Sequence, residues 1–498
     1  MNIYEVIRRD VSPHLGKAAL IESGRQISYG ELLQAVDEVA RELEAKGVEA
    51  TQRVALSCAD SIEYIITSLA VLSLGSAIVP VSPSYSRDEV KAILEGIDVS
   101  LLLSDREMFP LDPVRPVISG NALEKTLFLH PRAAREELPR EYRALSPAFI
   151  RFSSGTTGAS KGVVLSHETI VERTDAADRA LNVTENDRVI WVLSMSYHFV
   201  VTILLFLRRA ATIVLCGTEF PSSLVDGLVR HRGTLIYASP FHYQTIANSR
   251  MFSEESLSDV RLAVSTAMRL PESDARRFRQ KFGIELAEAY GVIEVGLPFV
   301  NSSGDAAKQG SIGRILPDYE AKIENVDADG VGEMYLRGKG MLDAYFFPWR
   351  GRDQILVNGW FKTGDLGRLD SDGFLFLAGR NDDVINFTGM KIFPEEVESV
   401  LNQHPAVGES LVYAKPHPQY GELPCADIVL SGETQAADLD STEIRRFCYQ
   451  HLAPYKVPKE FRPVPDLDRT ASGKLKRAKA RRGQAALTPD ARGVNVNR

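Results

Sequence analysis

RFSSGTTGASKGVVLSH, running from Arg151 to His167, crowds serine, threonine, glycine and one lysine into the segment Ser153 to Gly162. That composition suits a polyphosphate. Glycine lets the backbone turn sharply and approach an anion closely, while hydroxyls and main-chain N–H groups on successive residues can point at phosphate oxygens and Lys161 can add a charge. The spacing Gly155-x-x-Gly158-x-x-Lys161 does not fit the G-x-x-x-x-G-K-[ST] loop of P-loop NTPases, so a different nucleotide chemistry is expected. By itself such a run is most often a plain surface linker.

Further segments follow in a fixed order. They are Ala289-Tyr290-Gly291-Val292-Ile293-Glu294, Gly359-Trp360-Phe361-Lys362-Thr363-Gly364-Asp365, Gly379-Arg380-Asn381-Asp382-Asp383, Gly389-Met390-Lys391-Ile392 with Pro394-Glu395-Glu396-Val397-Glu398, and Arg469-Thr470-Ala471-Ser472-Gly473-Lys474. Together with the loop they resemble the adenylate-forming superfamily of acyl- and aryl-CoA synthetases, peptide-synthetase adenylation domains and beetle luciferases, over nearly the whole chain. Free-standing acyl-CoA ligases are the most similar branch.

Composition sets the frame for that resemblance. The chain of 498 residues is too long for one ordinary core and predicts at least two domains. Hydrophobic residues at 44% and charged residues at 25% exclude a disordered or fibrous chain. A net charge of −8 argues against nucleic acid or an anionic membrane as a partner. Cys58, Cys216, Cys425 and Cys448 are scattered, without zinc spacing, and read as reduced thiols. No export signal opens the chain, so a cytoplasmic location is the default expectation. The uncharged runs Tyr64 to Ser86 and Val189 to Leu207 reach spanning length but are broken by Gly75, Pro80, Pro83 and by Ser194, Ser196, Tyr197 and His198, which predicts buried core and no membrane span. The oligomeric state is left open.

Periodicity predicts an α/β fold. Ser28-Tyr-Gly-Glu31 is a capping-box sequence ahead of Leu32, Leu33, Val36, Val39, Ala40 and Leu43 at helical spacing, with Gly47 as the stop. A strand at Arg53–Cys58, a helix at Ile62–Leu74 and a strand at Ala77–Val81 make a βαβ unit and hence a parallel sheet. Ser86-Arg-Asp-Glu89 starts another helix, and Val99–Leu103 reads as a buried strand. After about Gly310 alternating strands and the turns Asp327-Ala-Asp-Gly330 and Asp370-Ser-Asp-Gly373 predict a small β-rich subdomain. Beyond it, helices near Glu395–Asn402 and Thr442–His451 and strands near Ser410–Tyr413, Ala426–Leu430 and Glu460–Val464 form an α+β unit.

The resemblance implies boundaries: an ATP- and acyl-binding domain over 1–379 built of parallel-sheet α/β subdomains plus the β-rich one, a hinge at 380–382 centred on Asp382, and a small mobile α+β lid over 383–498, with a flexible tail after about 483. It also implies roles. Ser153, Ser154, Gly155, Thr156, Thr157, Gly158 and Lys161 would bind the ATP phosphates. Ala267, Met268, Ala289, Tyr290, Gly291, Asp365, Arg380 and Lys474 would bind AMP, with Tyr290 stacked on adenine and Asp365 accepting both ribose hydroxyls. Glu294 would hold Mg²⁺, a hard ion that takes few protein carboxylates. Met195, Tyr197, His198, Thr202, Ser239 and Thr266 would line the acyl pocket, with Phe199, Val200, Val201 and Phe241 favouring an apolar acid and Tyr243 free to bond a ring substituent. The stretch Met195–Thr202 has no aspartate for an α-ammonium, which argues against amino-acid activation.

Joining a carboxylate to the α-phosphate of ATP brings two anions together, so the site needs cations and fixed donors where charge grows. By resemblance Lys474 touches both groups and is, with Glu294, the catalytic pair. Rotation about Asp382 then replaces Lys474 by the Gly389-Met390-Lys391 loop for transfer to the thiol of CoA. The expected activity is conversion of an apolar, fatty or aryl carboxylic acid to acyl-AMP and then acyl-CoA, with ATP, Mg²⁺ and CoA required. Alternatives are an acyl-AMP ligase that loads a separate carrier protein and a non-catalytic nucleotide-binding protein. Two departures mark this chain: Ile293 stands where a threonine is usual, and Ser265-Thr266-Ala267-Met268 replaces the commoner Ser-Gly-Gly-Ala.

Overall fold

A computed structural model describes residues 1–106, 115–118, 123–132, 138–153, 161–217, 220–388, 390–417, 419–432, 441–469 and 475–476. Backbone contacts divide the chain into one unit of residues 1–324, 334–363 and 369–376 and a second of 325–333, 364–368 and 377 onward.

Local signals at the start of the first unit hold as expected. Ser28 Oγ accepts the Glu31 N–H at 3.2 Å and the Glu31 carboxylate accepts the Ser28 N–H at 2.7 Å, opening the helix Tyr29–Ala45. Arg53–Ser57, Ile62–Ser73 and Ala77–Pro80 form the βαβ unit, with Val54 registered on Ile78 in a parallel pair. Nearly every residue of helix Ile62–Ser73 is buried, which explains its lack of charged faces. Both uncharged runs resolve into short core elements, and no described helix is long and apolar enough to cross a membrane.

Two sheets carry this unit. In the nine-stranded sheet, antiparallel Pro147–Ser153 and Lys161–Ser166 lie between the parallel βαβ strands and the strand Ala344–Tyr345, which the short strand Arg350–Gly351 borders at the sheet edge. In the eight-stranded sheet the parallel strands Leu262–Ser265, Leu235–Ala238, Arg188–Trp191 and Thr212–Leu215 are flanked by Leu286–Val292 and, far along the chain, by Ala18–Glu22. The first strand joins this sheet through Leu20 opposite Ile213, a pairing that no local pattern announces. One face is sealed by Ile190, Ile236, Tyr243, Ile246, Phe278 and Phe282.

Helix His167–Leu181 ties the two sheets together. Its Arg173 is fully buried and donates to the Gly340 carbonyl from Nε at 2.9 Å and Nη2 at 2.6 Å, and from Nη1 to the Ile293 carbonyl at 2.8 Å. The first contact lies just ahead of strand Ala344–Tyr345, the second in the turn after Leu286–Val292. In the β-rich part, Glu320 and Arg337 pair at 2.6 Å on neighbouring strands, and Arg337 lies over the Trp360 ring.

The second unit is α+β, as expected. Strands Val407–His417 and Gly421–Leu430 pair as a long hairpin, well beyond the short strands the sequence suggests, because polar edge residues continue the ladder past the apolar stretch. Helices Pro394–Leu401 and Ser441–His451 cover it through Val397, Leu401, Val412, Ile428 and Cys448, and the buried Glu398 carboxylate accepts the Val412 N–H at 2.7 Å. All four cysteines are free and buried. The turn aspartates act as read: Asp327 accepts the Val331 N–H at 3.0 Å and Asp370 the Phe374 N–H at 2.9 Å.

Gly340 sits at φ +68°, and a Cβ there would lie 2.8 Å from the Arg173 backbone. Gly340→Ala should therefore cost about 2 kcal/mol or more and lower the thermal midpoint by at least ~4 °C. Gly24→Ala, at φ +86° with open space around it, is the control for backbone strain alone. Equal losses in the two variants would show that the close packing at Gly340 carries no weight.

Candidate active site

The carboxyl ends of the parallel strands gather the expected groups of the first unit, where open α/β sheets place their ligands. Ala238, Ser265 and Glu288 are in register on three adjacent strands, so Ser239, Thr266 and Ala289 emerge side by side. Thr266 donates its N–H to the Ala238 carbonyl at 3.0 Å and its hydroxyl to the Ala289 carbonyl at 3.3 Å. Ala267 then takes φ +74°, a left-handed conformation that glycine adopts freely and alanine does not. An alanine at this left-handed position stores strain on the order of 1 kcal/mol.

Tyr290 and Gly291 lie at a bulge before the turn that carries Glu294. A Cβ on Gly291 would meet the Gly296 carbonyl at 2.5 Å, so glycine is required there by packing. The turn is held at its backbone: the Ile293 carbonyl accepts from Arg173, and the Glu294 carbonyl accepts the Leu342 N–H at 2.7 Å. Burial pushes the Arg173 guanidinium down to about 10. The side chain of Glu294 accepts the Tyr345 hydroxyl at 3.3 Å. Around the Tyr345 ring stand Lys161, with its amine 5.1 Å from the centroid, and Arg350 at 5.2 Å. Burial, then the Glu294 charge, pushes the Tyr345 phenol up, so it stays a donor.

Among the described residues no cluster of three metal-ligating side chains occurs. A single carboxylate, with one oxygen on a phenol and no ion pair to a described residue, still fits Mg²⁺, whose remaining ligands are water and phosphate oxygens.

The acyl residues form a second group. The Met195 N–H donates to Asp60 at 2.9 Å, and burial pushes the Asp60 carboxyl up to about 6. Tyr197 bonds the Tyr85 hydroxyl at 2.9 Å, and its carbonyl accepts from Arg151 at 2.8 Å. His198 packs edge-on to Trp191, which stacks on Tyr237 at 6.1 Å. Phe199 and Val200 are buried, and Phe199 packs edge-on to Tyr64 at 5.8 Å. The Thr202 hydroxyl is spent on the His198 carbonyl in a π-turn, Phe199–Ile203. Ser239 Oγ and His242 Nδ1 are 2.8 Å apart, and burial takes the His242 imidazole down to about 4.

One pocket expectation is corrected: Tyr243 is fully buried in the apolar core and donates its hydroxyl to the Ile236 and Val264 carbonyls, so it is not placed to bond a ring substituent, while Phe241 is 55% exposed beside Phe220. Helical spacing from Ser239 turns these neighbours in opposite directions, which a segment-level reading does not resolve.

In the second unit Arg380 lies 3.7 Å from the buried Asp365, and Gly364 at φ +78° leaves room for the guanidinium. Asp382 is exposed in a 3₁₀ turn, Asn381–Asp383. Lys391 lies on strand Met390–Ile392 opposite Asn386. Ser154, Gly155, Thr156, Thr157, Gly158, Gly389 and Lys474 lie outside the described residues, and Ser153 is described only as the end of its strand. Reading motifs alone missed Asp60, Arg173 and Tyr345, each far in sequence from the group it supports, and Arg350, which pairs across a short hairpin with Tyr345.

Known proteins place this architecture. A family model described as AMP-binding enzyme matches residues 7–346, and one described as AMP-binding enzyme C-terminal domain matches 396–474. The chain is 26% identical to the long-chain-fatty-acid–CoA ligase of Bacillus subtilis, over 93% of this chain and 90% of that one. It is 29% identical to the 4-hydroxybenzoate–CoA/benzoate–CoA ligase of Rhodopseudomonas palustris, with 93% and 90% covered. Among solved structures, o-succinylbenzoate CoA synthetase from Bacillus subtilis, in complex with its acyl-adenylate intermediate, superposes with a TM-score of 0.82 at 26% identity over 100% of this chain and 99% of that one.

Asp60 gives a pH test. Its carboxyl is raised to about 6 in the fold, so its favourable contribution is full below the unfolded carboxylate range near 4 and is lost as pH rises through about 6. Asp60→Asn keeps the acceptor for the Met195 N–H without ionising. Its melting temperature relative to the parent should climb between pH 4 and 6 and level off above 7. A difference that is flat or falls across that window would contradict the burial argument.

Proposed function

We propose that this chain, which belongs to the AMP-binding enzyme family, is an AMP-forming acid–thiol ligase that activates an apolar, fatty or aryl carboxylic acid with ATP and passes it to CoA. The observation that carries this reading is the Glu294 turn at the carboxyl end of its sheet, whose carboxylate accepts the hydroxyl of Tyr345 while Lys161 and Arg350 lie over the Tyr345 ring, together with an aromatic group of Trp191, Tyr237 and His198.

In the first step a carboxylate oxygen attacks the α-phosphorus, the bond to the bridging oxygen breaks, and pyrophosphate leaves with the electron pair. Mg²⁺, held by Glu294, would supply charge neutralisation for the departing phosphates. Lys161 and Lys474 do the same from the protein, and the fixed donors cost no reorganisation when charge develops. Trp191, Tyr237 and Phe206, in mutual contact, exclude water from the acyl side. In the second step the CoA sulfur attacks the acyl carbon and AMP leaves. Rotation about Asp382 would exchange Lys474 for the Gly389–Lys391 loop between the steps.

A panel of fatty and aryl acids tests the function: one class should give AMP and a CoA thioester in equal amounts, and failure of every acid to stimulate AMP formation would remove the reading. Lys474→Ala should slow adenylation by hundreds-fold, about 3–4 kcal/mol, yet leave thioester formation from preformed acyl-AMP intact. Asp382→Pro should spare adenylation and block the second step, since proline fixes φ at the pivot. Equal loss of both steps in either variant would contradict the division of labour.

A further inference from the structure

Arg151 has no role in the family motifs, yet its placement is that of a ligand-binding group. It stands on strand Pro147–Ser153 opposite Val163, and Val163 in turn is opposite Tyr345, so the three make a row across adjacent strands. Their neighbours Ile150, Val164 and Ala344 belong to the apolar cluster on the other face of the sheet, which directs Arg151 to the face of Tyr345 and Glu294. Lys161 and Arg350 occupy the Tyr345 end of the row, where the phosphates are expected. Arg151 occupies the other end, two strands or about 10 Å away, against Tyr197 of the acyl wall.

Its bonding is incomplete. Nη1 donates to the Tyr197 carbonyl at 2.8 Å, and the guanidinium lies 5.0 Å from the Tyr197 ring centroid. Among the described residues it makes no other hydrogen bond and no ion pair. Burial lowers its proton affinity, and the charges that raise it, Tyr85, Tyr197 and Glu294, act without a direct pair. Arg151 is half-buried, and a guanidinium with one of its five N–H donors bonded to a described residue has donors left for a ligand anion. A planar fork of this kind matches a carboxylate bidentately.

We propose that Arg151 receives the carboxylate of the acid substrate, at the junction of the acyl wall and the phosphate end, and holds it for in-line attack on the α-phosphorus. The inference rests on the ligase reading above and adds a recognition residue to it. Once the acyl–phosphate bond forms, the substrate loses its carboxylate charge, so the contact favours the unreacted acid over the adenylate and helps order binding before chemistry.

The test uses the full-length protein, its best acid from the panel, the corresponding carboxamide as a competitive inhibitor, and a non-hydrolysable ATP analogue. Arg151→Gln should raise KM for the acid by about 10–100-fold, the range for a lost charge-assisted bond, leave the Kd of the ATP analogue within about 2-fold, and collapse the preference for acid over carboxamide. Arg151→Lys, which keeps the charge but not the fork, should fall between and serves if the glutamine variant does not fold. Equal weakening of acid and carboxamide would show that Arg151 only fastens Tyr197 and would overturn the proposal. Weakened binding of the ATP analogue with an unchanged acid KM would assign it to the triphosphate and overturn it as well. Parent protein that adenylates no acid would instead sink the ligase reading, a result separable from either.

Discussion

The buried guanidinium of Arg173 holds the first unit's catalytic surfaces in one geometry. Its three bonds reach the Ile293 carbonyl in the turn that presents Glu294 and the Gly340 carbonyl ahead of the strand that presents Tyr345. Taking such a cation out of water costs several kcal/mol. Charge-assisted bonds of roughly 1.5–3 kcal/mol each offset that cost only because both acceptor carbonyls are in place together. Helix His167–Leu181 thus acts as a bracket between two sheets, and the Tyr345–Glu294 contact follows from the bracket.

Electrostatics give that bracket its use. The chain is acidic, with a net charge of −8, yet Lys161 and Arg350 lie over the ring of Tyr345, whose hydroxyl bonds Glu294, and Arg151 stands on the same face of the sheet, against Tyr197. Concentrating cations in a partly dry cleft strengthens their action on anionic reactants well beyond what surface charges achieve. The aromatic wall of Trp191, Tyr237 and Phe206 supplies the complementary dry side for an acyl tail.

What was legible in the sequence was local or carried by motifs. Capping boxes at Ser28 and Ser86, the βαβ unit and the turn aspartates act over a few residues, and the structure places each where the pattern put it. Glu294, Tyr290, Asp365 and Arg380 could be named because the motifs name them. What was not legible depends on distance: Ala18–Glu22 pairs with a strand almost 200 residues away, Asp60 holds Met195, and Arg173 reaches Gly340. No periodicity encodes such partners. Tyr243 and Phe241 show the same limit at short range, since two aromatics two residues apart part to core and solvent according to the helix they begin.

The central claim is that an acid oxygen bonds to the α-phosphorus. Supplying the acid with ¹⁸O in its carboxylate, together with ATP, CoA and Mg²⁺, and weighing the released AMP by mass spectrometry tests it directly. The account predicts one ¹⁸O in each AMP and none in pyrophosphate. Unlabelled AMP, or label released as inorganic phosphate alongside ADP, would contradict it.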